Sequence, residues 1–159
     1  MAKKLVAYFS ATGNTARVAN AIASKTGATL FQIAPAEPYS AADLNWRDST
    51  SRTTKERNDP ALRPAMKEAA DVSGCDVVFL GFPIWWYKEP NIVDTFLDGA
   101  NLEGKTVVLF ATAGSSGFGS TARNLQRRLG EGVKVVEGKV FYNDSYAKEV
   151  DKWLEHLPI

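Results

Sequence analysis

Five short apolar runs, spaced along the chain and separated by stretches of helical character, restrict this sequence to a small set of folds. The runs are Leu5–Phe9, Ala28–Ile33, Asp76–Phe82, Lys105–Ala111 and Val133–Val136, the last resuming at Lys139–Phe141. Each has the length and the Val, Ile and aromatic content of a strand. The third is continuously apolar, as a sheet covered on both faces requires. After the first run, small or apolar residues fall at Thr15, Val18, Ala19, Ile22 and Ala23, one face of a helix that Gly27 stops. Pro64 suits the start of a second helix through Met66–Asp71, with Gly74 closing it. Ile92, Val93, Phe96 and Leu97 mark a third. Ala122, Leu125 and Leu129 mark a fourth, ended by Gly130 and Gly132, and Tyr146, Val150, Trp153, Leu154 and Leu157 a fifth.

Strands alternating with helices pair in parallel and carry helices on both faces. Right-handed crossovers leave few ways to connect them. The expected architecture is a three-layer α/β/α sandwich, one domain over residues 1–159, with a five-stranded parallel sheet in the order 2-1-3-4-5. One connection does not fit a short link. Residues 34–60 contain Pro35, Pro38 and Pro60 and no sustained period, yet hold Tyr39 and Trp46. Aromatics pack, so this segment is expected to be an ordered flap beside the functional site, with some helix near Lys55–Asn58.

In an open parallel sheet the ligand sits at the carboxyl ends of the strands, where strand order reverses. Three conspicuous loops, 10–15, 83–90 and 112–119, follow strands one, three and four, which lie side by side in the order 2-1-3-4-5. The first, Ser10-Ala11-Thr12-Gly13-Asn14-Thr15, leads straight into a helix. A helix start presents unpaired N–H groups and the positive end of a dipole, and Ser10, Thr12, Asn14 and Thr15 can add neutral donors. Taken alone, the loop reads equally as a hydroxyl-rich cap or as a phosphate cradle. It lacks the Lys of GxxxxGK[ST] and the glycines of GxGxxG. Convergence with the other two loops favours the cradle. Pro83-Ile84-Trp85-Trp86-Tyr87 exposes a concentration of aromatic surface, of which one indole is expected to stack on a ligand and the other to pack. Thr112, Ala113, Gly114, Ser115, Gly117 and Gly119 let backbone groups approach a flat molecule. Phe118, near a helix start, reads as core or as a ligand contact. A phosphate on a planar ring system satisfies all three loops.

The remaining composition narrows the partners. Net charge is +1, so neither nucleic acid nor an anionic membrane is implied. No segment approaches the length of a membrane span, and the single cysteine, Cys75, excludes an internal disulfide and suits a cytoplasmic setting. No acid–base or nucleophilic set is recognisable: the only histidine, His156, lies on the last helix, and position 81, where a C-x5-R loop from Cys75 would need Arg, is Gly. Chemistry must then belong to a bound cofactor.

These residues resemble the flavodoxin family. The S-A-T-G-N-T loop from Ser10 is similar to its phosphate loop. Gly81-Phe82-Pro83-Ile84-Trp85-Trp86 with Pro90 and Phe96, the run A-T-A-G-S-S-G-F-G from Ala111, and Arg52, Glu56 and Pro64 resemble a short-chain subgroup. The resemblance implies one non-covalent flavin mononucleotide (FMN). Ser10, Thr12, Gly13, Asn14 and Thr15 would hold its phosphate. Pro83, Ile84, Trp85 and Trp86 would enclose the ring together with Thr112–Gly119, that is Thr112, Ala113, Gly114, Ser115, Gly117, Phe118 and Gly119. It also implies electron transfer between a reductase and an acceptor protein, by a monomer or weak dimer. A nicotinamide-dependent quinone or nitro-group reductase, or a non-redox flavin-binding module, are the alternatives on the same scaffold. Two features depart from the family pattern. The charge is not strongly acidic, and loop 83–90 has no Gly where a backbone reversal is often used; at Tyr87 such a reversal would cost about 1–2 kcal/mol, so one-electron shuttling is expected to be less favoured here.

Overall fold

The computed structural model describes residues 3–142 and 146–157, with the backbone alone at 146 and 147. Five strands, β1 (Lys4–Tyr8), β2 (Thr29–Gln32), β3 (Val77–Pro83), β4 (Thr106–Thr112) and β5 (Lys134–Phe141), form one sheet in the order β2-β1-β3-β4-β5. Every pairing is parallel, with Val6 opposite Leu30 and Phe79, and Leu80 opposite Leu109. The expected topology is the observed one. Helices α1 (Asn14–Thr26), α2 (Arg52–Asn58), α3 (Asn91–Gly99), α4 (Thr121–Leu129) and α5 (Tyr146–His156) complete the chain.

Period-two alternation divides the sheet's side chains between two cores. Leu5, Ala7, Phe9, Val78, Leu80, Phe82, Val107 and Leu109 pack with Ile92, Val93, Phe96 and Leu97 of α3 and Leu125 of α4. The intervening Val6, Val77, Phe79, Val108 and Phe110 pack with Val18 and Ile22 of α1 and Val150 of α5. The buried residues of α1 are Thr15, Val18, Ala19, Ile22 and Ala23, the face read from the spacing. On α5, Trp153 meets Phe79 and Phe141 edge-on at 6.0 and 5.9 Å; the side chain of Tyr146, counted on the same face, lies outside the described residues.

The fifth strand is one strand, not two. Its register against β4 skips a residue between Leu109 and Phe110, so that Glu137 and Lys139 face consecutive partners and Gly138 bulges. A Cβ at Gly138 would lie 1.9 Å from the carbonyl oxygen of Leu109 and 2.6 Å from the Trp153 ring, which is why only glycine fits the bulge.

The helix expected after Pro64 is absent. Residues 64–72 are irregular instead, bending at Lys67 and Glu68, with Pro35 and Met66 bridged antiparallel. Ala36 N–H donates to the Ala65 carbonyl and Lys67 N–H to the Ala34 carbonyl, both at 2.8 Å, and the Thr95 hydroxyl donates to the Pro64 carbonyl at 2.8 Å. The groups a helical turn would have used are thereby taken by the flap and by α3. This is a tertiary override of a favourable local sequence. The helical part of the connection lies earlier, in α2, where the Ser51 hydroxyl accepts from Thr54 N–H as a cap.

Candidate functional site

The three loops meet at the carboxyl edge of the sheet, as strand order requires. Gly13 takes a left-handed backbone, φ 96°, at the position preceding α1. Ser10 then caps the helix: its Oγ accepts from the N–H groups of Gly13 and Ala16, at 3.1 and 3.2 Å. A hydroxyl that accepts twice still has its own proton to donate. Thr12 and Asn14 are exposed on the rim of this loop. Thr15 is not: it is 1% exposed, and its hydroxyl lies 2.8 Å from that of Thr112 at the end of β4. Ser10 thus caps the helix while Thr12 and Asn14 face outward.

The second loop is a tight hairpin. Trp85 N–H donates to the Lys88 carbonyl at 3.1 Å and Lys88 N–H to the Trp85 carbonyl at 3.3 Å. Between them Trp86 and Tyr87 both have positive φ, 51° and 66°, the pattern of a type I′ turn that sequences ordinarily fill with Asn-Gly. The left-handed region is thus already occupied by two bulky residues. The cost expected of a non-glycine residue in that region is thus already carried in the folded hairpin. What holds the strained turn is visible around it. The Thr121 hydroxyl, which donates to the Phe118 carbonyl at 2.7 Å, lies 3.3 Å from the Tyr87 carbonyl, Arg57 lies 5.0 Å above the Trp86 ring, and Ile84 N–H donates to the Thr112 carbonyl at 2.9 Å. Trp85 meets Phe9 and Tyr39 edge-on at 5.5 and 5.7 Å.

Both indoles also wall a cleft of about 450 Å³, whose other faces come from Leu44, Trp46 and Thr53 of the flap and from Ile84, Tyr87, Ser115 and Ser116. That volume lies within the range of small-molecule sites. The flap therefore stands beside the site, as its aromatics suggested. Leu44 and Thr53 were not singled out, because nothing local in the sequence distinguishes them, whereas Tyr87 and Ser116 belong to the aromatic and glycine-rich runs already noted. Their place depends on how the flap folds over the hairpin. In the third loop Gly114, Ser115, Gly117 and Gly119 are exposed, whereas Ala113 N–H is engaged by the Phe141 carbonyl at 3.2 Å. Phe118, read as core or ligand contact, is 7% exposed and packs edge-on against Phe82 at 6.4 Å, which is core packing. Pro83, half-buried, ends β3 beneath the hairpin.

Two ionisable groups behind the cleft are displaced from their ordinary behaviour. Glu89, at the foot of the hairpin, is 8% exposed; burial and then the neighbouring Asp94 carboxylate push its carboxyl up to about 7. Asp94 is itself held by Arg128 Nη1 at 2.5 Å. Burial, and then the hydrogen bond to Glu56, drive the Tyr39 phenol far above its usual range. His156 is exposed on α5, its Nδ1 2.8 Å from the Lys152 carbonyl. Among the described residues no group of His, Cys, Asp and Glu is arranged to hold a metal, and no helix is long and apolar enough to cross a membrane. Of the candidate residues the cleft is lined by Ile84, Trp85, Trp86 and Ser115, while Ser10–Thr15 at the start of α1 lie on the same sheet edge outside its lining.

Comparison with known proteins agrees with this geometry. The flavodoxin family model matches residues 3–157. A crystal structure of a candidate flavoprotein from Bacteroides eggerthii DSM 20697 is 43% identical, with all of this chain and 99% of that one aligned and a TM-score of 0.91. A second, from Bacteroides uniformis ATCC 8492, is 39% identical over 97% of this chain and 98% of that one, TM-score 0.91. At 22% identity the fold is shared with a flavoprotein from Lactobacillus acidophilus NCFM solved in complex with FMN, over 97% of this chain and 99% of that one, TM-score 0.70. No curated protein sequence matches. With the strand order, the three strand-end loops and a match over nearly its whole length, the chain belongs to the flavodoxin family.

Proposed function

We propose that the cleft binds one FMN non-covalently and that the protein is an electron carrier, taking electrons from a reductase and passing them to an acceptor protein. The observation that carries this reading is a cleft of about 450 Å³ walled by Trp46, Trp85 and Trp86 on the sheet edge that also holds the start of α1. The residues fit the group. Thr12 and Asn14 are free on the rim, Ser10 retains a donor, and Gly13 opens the backbone at the head of a helix dipole, which suits a phosphate. Trp85, Trp86 and Ile84 offer flat apolar walls, and the exposed glycines of 114–119 let main-chain groups reach a polar ring edge. Thr15 and Thr112 act one step back, bonded to each other, and hold the first and third loops in register.

Bound FMN would supply reversible one- and two-electron chemistry; the chain binds it, orients it and shields it from water. Trp46, 63% exposed at the cleft, favours one alternative, a nicotinamide-dependent reductase whose quinone or nitro-aromatic substrate lies against that indole. Location in the cytoplasm, as a monomer or weak dimer, belongs to the same proposal.

The test begins with colour: purified protein, or protein titrated with FMN, shows a flavin spectrum that leaves on acid precipitation. Thr12→Val weakens FMN more than riboflavin, and equal losses for the two would overturn the phosphate assignment. Rapid oxidation of a nicotinamide donor by the holoprotein alone would replace the carrier with the reductase.

A further inference from the structure

We infer that Tyr39 and Glu56 are positioning residues for the flavin cleft, a latch one layer behind its wall that fixes Trp85 and the flap together. The inference rests on the reading of the cleft as the flavin site, but its structural part does not.

Glu56 stands on α2 with 5% of its surface exposed, and both carboxylate oxygens are used. Oε1 accepts from the Tyr39 hydroxyl at 2.7 Å and Oε2 from Arg52 Nε at 3.1 Å. The Arg52 guanidinium lies 3.8 Å above the Tyr39 ring and donates through Nη1 to the Glu37 carbonyl at 2.7 Å. Carboxylate, phenol and guanidinium therefore close a triangle, each touching the other two.

The triangle has two outlets toward the cleft. The Tyr39 ring meets Trp85 at 5.7 Å, inclined 77°, and Phe9 at 5.6 Å. The Glu56 helix carries Thr53, a cleft residue, whose N–H and hydroxyl both donate to the Asp43 carbonyl, next to Leu44. At the far side Asn91 Nδ2 donates to the Glu56 carbonyl at 2.9 Å, tying the same helix to α3. Neither Tyr39 nor Glu56 lines the cleft.

Apolar packing alone would hold a flap without the cost of desolvating a carboxylate and a guanidinium. A satisfied polar network adds what packing lacks, one defined geometry. Here that geometry is the plane of the Tyr39 ring, pinned by its own hydroxyl, and through it the Trp85 indole.

The decisive variant is Tyr39→Phe, which keeps the ring and removes only the hydroxyl. The expected results are a melting temperature lowered by several degrees, because Glu56 Oε1 loses its donor while buried, and FMN and riboflavin affinities both lowered about five- to tenfold. Loss of both ligands together separates a wall effect from a phosphate effect. In the apoprotein, hydrogen exchange of amides 43–56 becomes faster and acrylamide quenching of tryptophan fluorescence rises. Glu56→Gln, which still accepts from Tyr39, recovers affinity relative to Glu56→Ala. Unchanged ligand affinities in Tyr39→Phe, or unchanged amide exchange in its apoprotein, would overturn the positioning role. A parent protein that binds neither flavin refutes the cofactor assignment instead, and leaves the exchange measurement to decide the latch.

Discussion

The hydroxyls of Thr15 and Thr112 lie 2.8 Å apart, so the first turn of α1 and the last residue of β4 are joined through two side chains 97 positions apart in sequence. Both are buried, at 1% and 6% exposure. Thr112→Val keeps the shape of the side chain and strips Thr15 of its partner, leaving a buried hydroxyl unsatisfied. The expected cost is about 1–3 kcal/mol of unfolding free energy, read from denaturant midpoints. The double variant Thr15→Val/Thr112→Val recovers part of that loss, because both polar groups are then gone.

Glu89 sets a pH dependence of stability. Its carboxyl, ordinarily near 4.5, is raised to about 7 by burial and by Asp94, so the folded protein holds a proton that the unfolded chain has released between those values. Stability from this group is therefore complete below about pH 4.5 and is lost as pH rises through about 7, by an amount on the order of 1–3 kcal/mol. Glu89→Gln flattens that stretch of the curve and is the more stable form at pH 8, as thermal melts across pH 5–8 would show.

The hairpin tip stores strain that glycine would release. Tyr87 is 69% exposed with φ 66°, so little packing is lost when its side chain is removed. A left-handed residue costs about 1–2 kcal/mol and glycine forfeits about 0.5–1 kcal/mol in chain entropy. Tyr87→Gly is thus expected to stabilise the apoprotein by roughly 1 kcal/mol while weakening flavin binding through loss of a cleft wall. Opposite signs in a chemical melt and a flavin titration are the signature to look for.

The bulge in β5 tolerates no side chain. Gly138→Ala would place a methyl 1.9 Å from the Leu109 carbonyl oxygen and 2.6 Å from Trp153. Backbone cannot yield as a flexible side chain can, so the cost is expected to be about 3 kcal/mol, measured by equilibrium unfolding.

How far the sequence reached depends on the range of the forces at each place. The buried face of α1, the inward residues of α3 and the strand order follow from periodicity and connection rules, which act locally or through chain geometry. The convergence of loops 10–15, 83–90 and 112–119 followed from that order. The segment after Pro64 did not, because its carbonyl and amide groups are claimed by residues 34–36 and Thr95, contacts that no local window contains. Trp86 and Tyr87 also broke a local rule: their positive φ is enforced by Thr121, Arg57 and the hairpin's own two hydrogen bonds. Phe118 could be read either way from its position, and burial against Phe82 decided for the core.

Asn91, at the head of α3, donates from one amide nitrogen toward the carbonyls of Glu56, Asp59 and Leu62, at 2.9, 3.0 and 3.1 Å. Slow hydrolysis of that amide to a carboxylate, an ordinary route of chemical ageing, would set a negative charge against the oxygens it once bound. The flap's hold on α3 would then be left to the Thr95 hydroxyl and to the Arg63–Asp98 pair, loosened with no peptide bond cut.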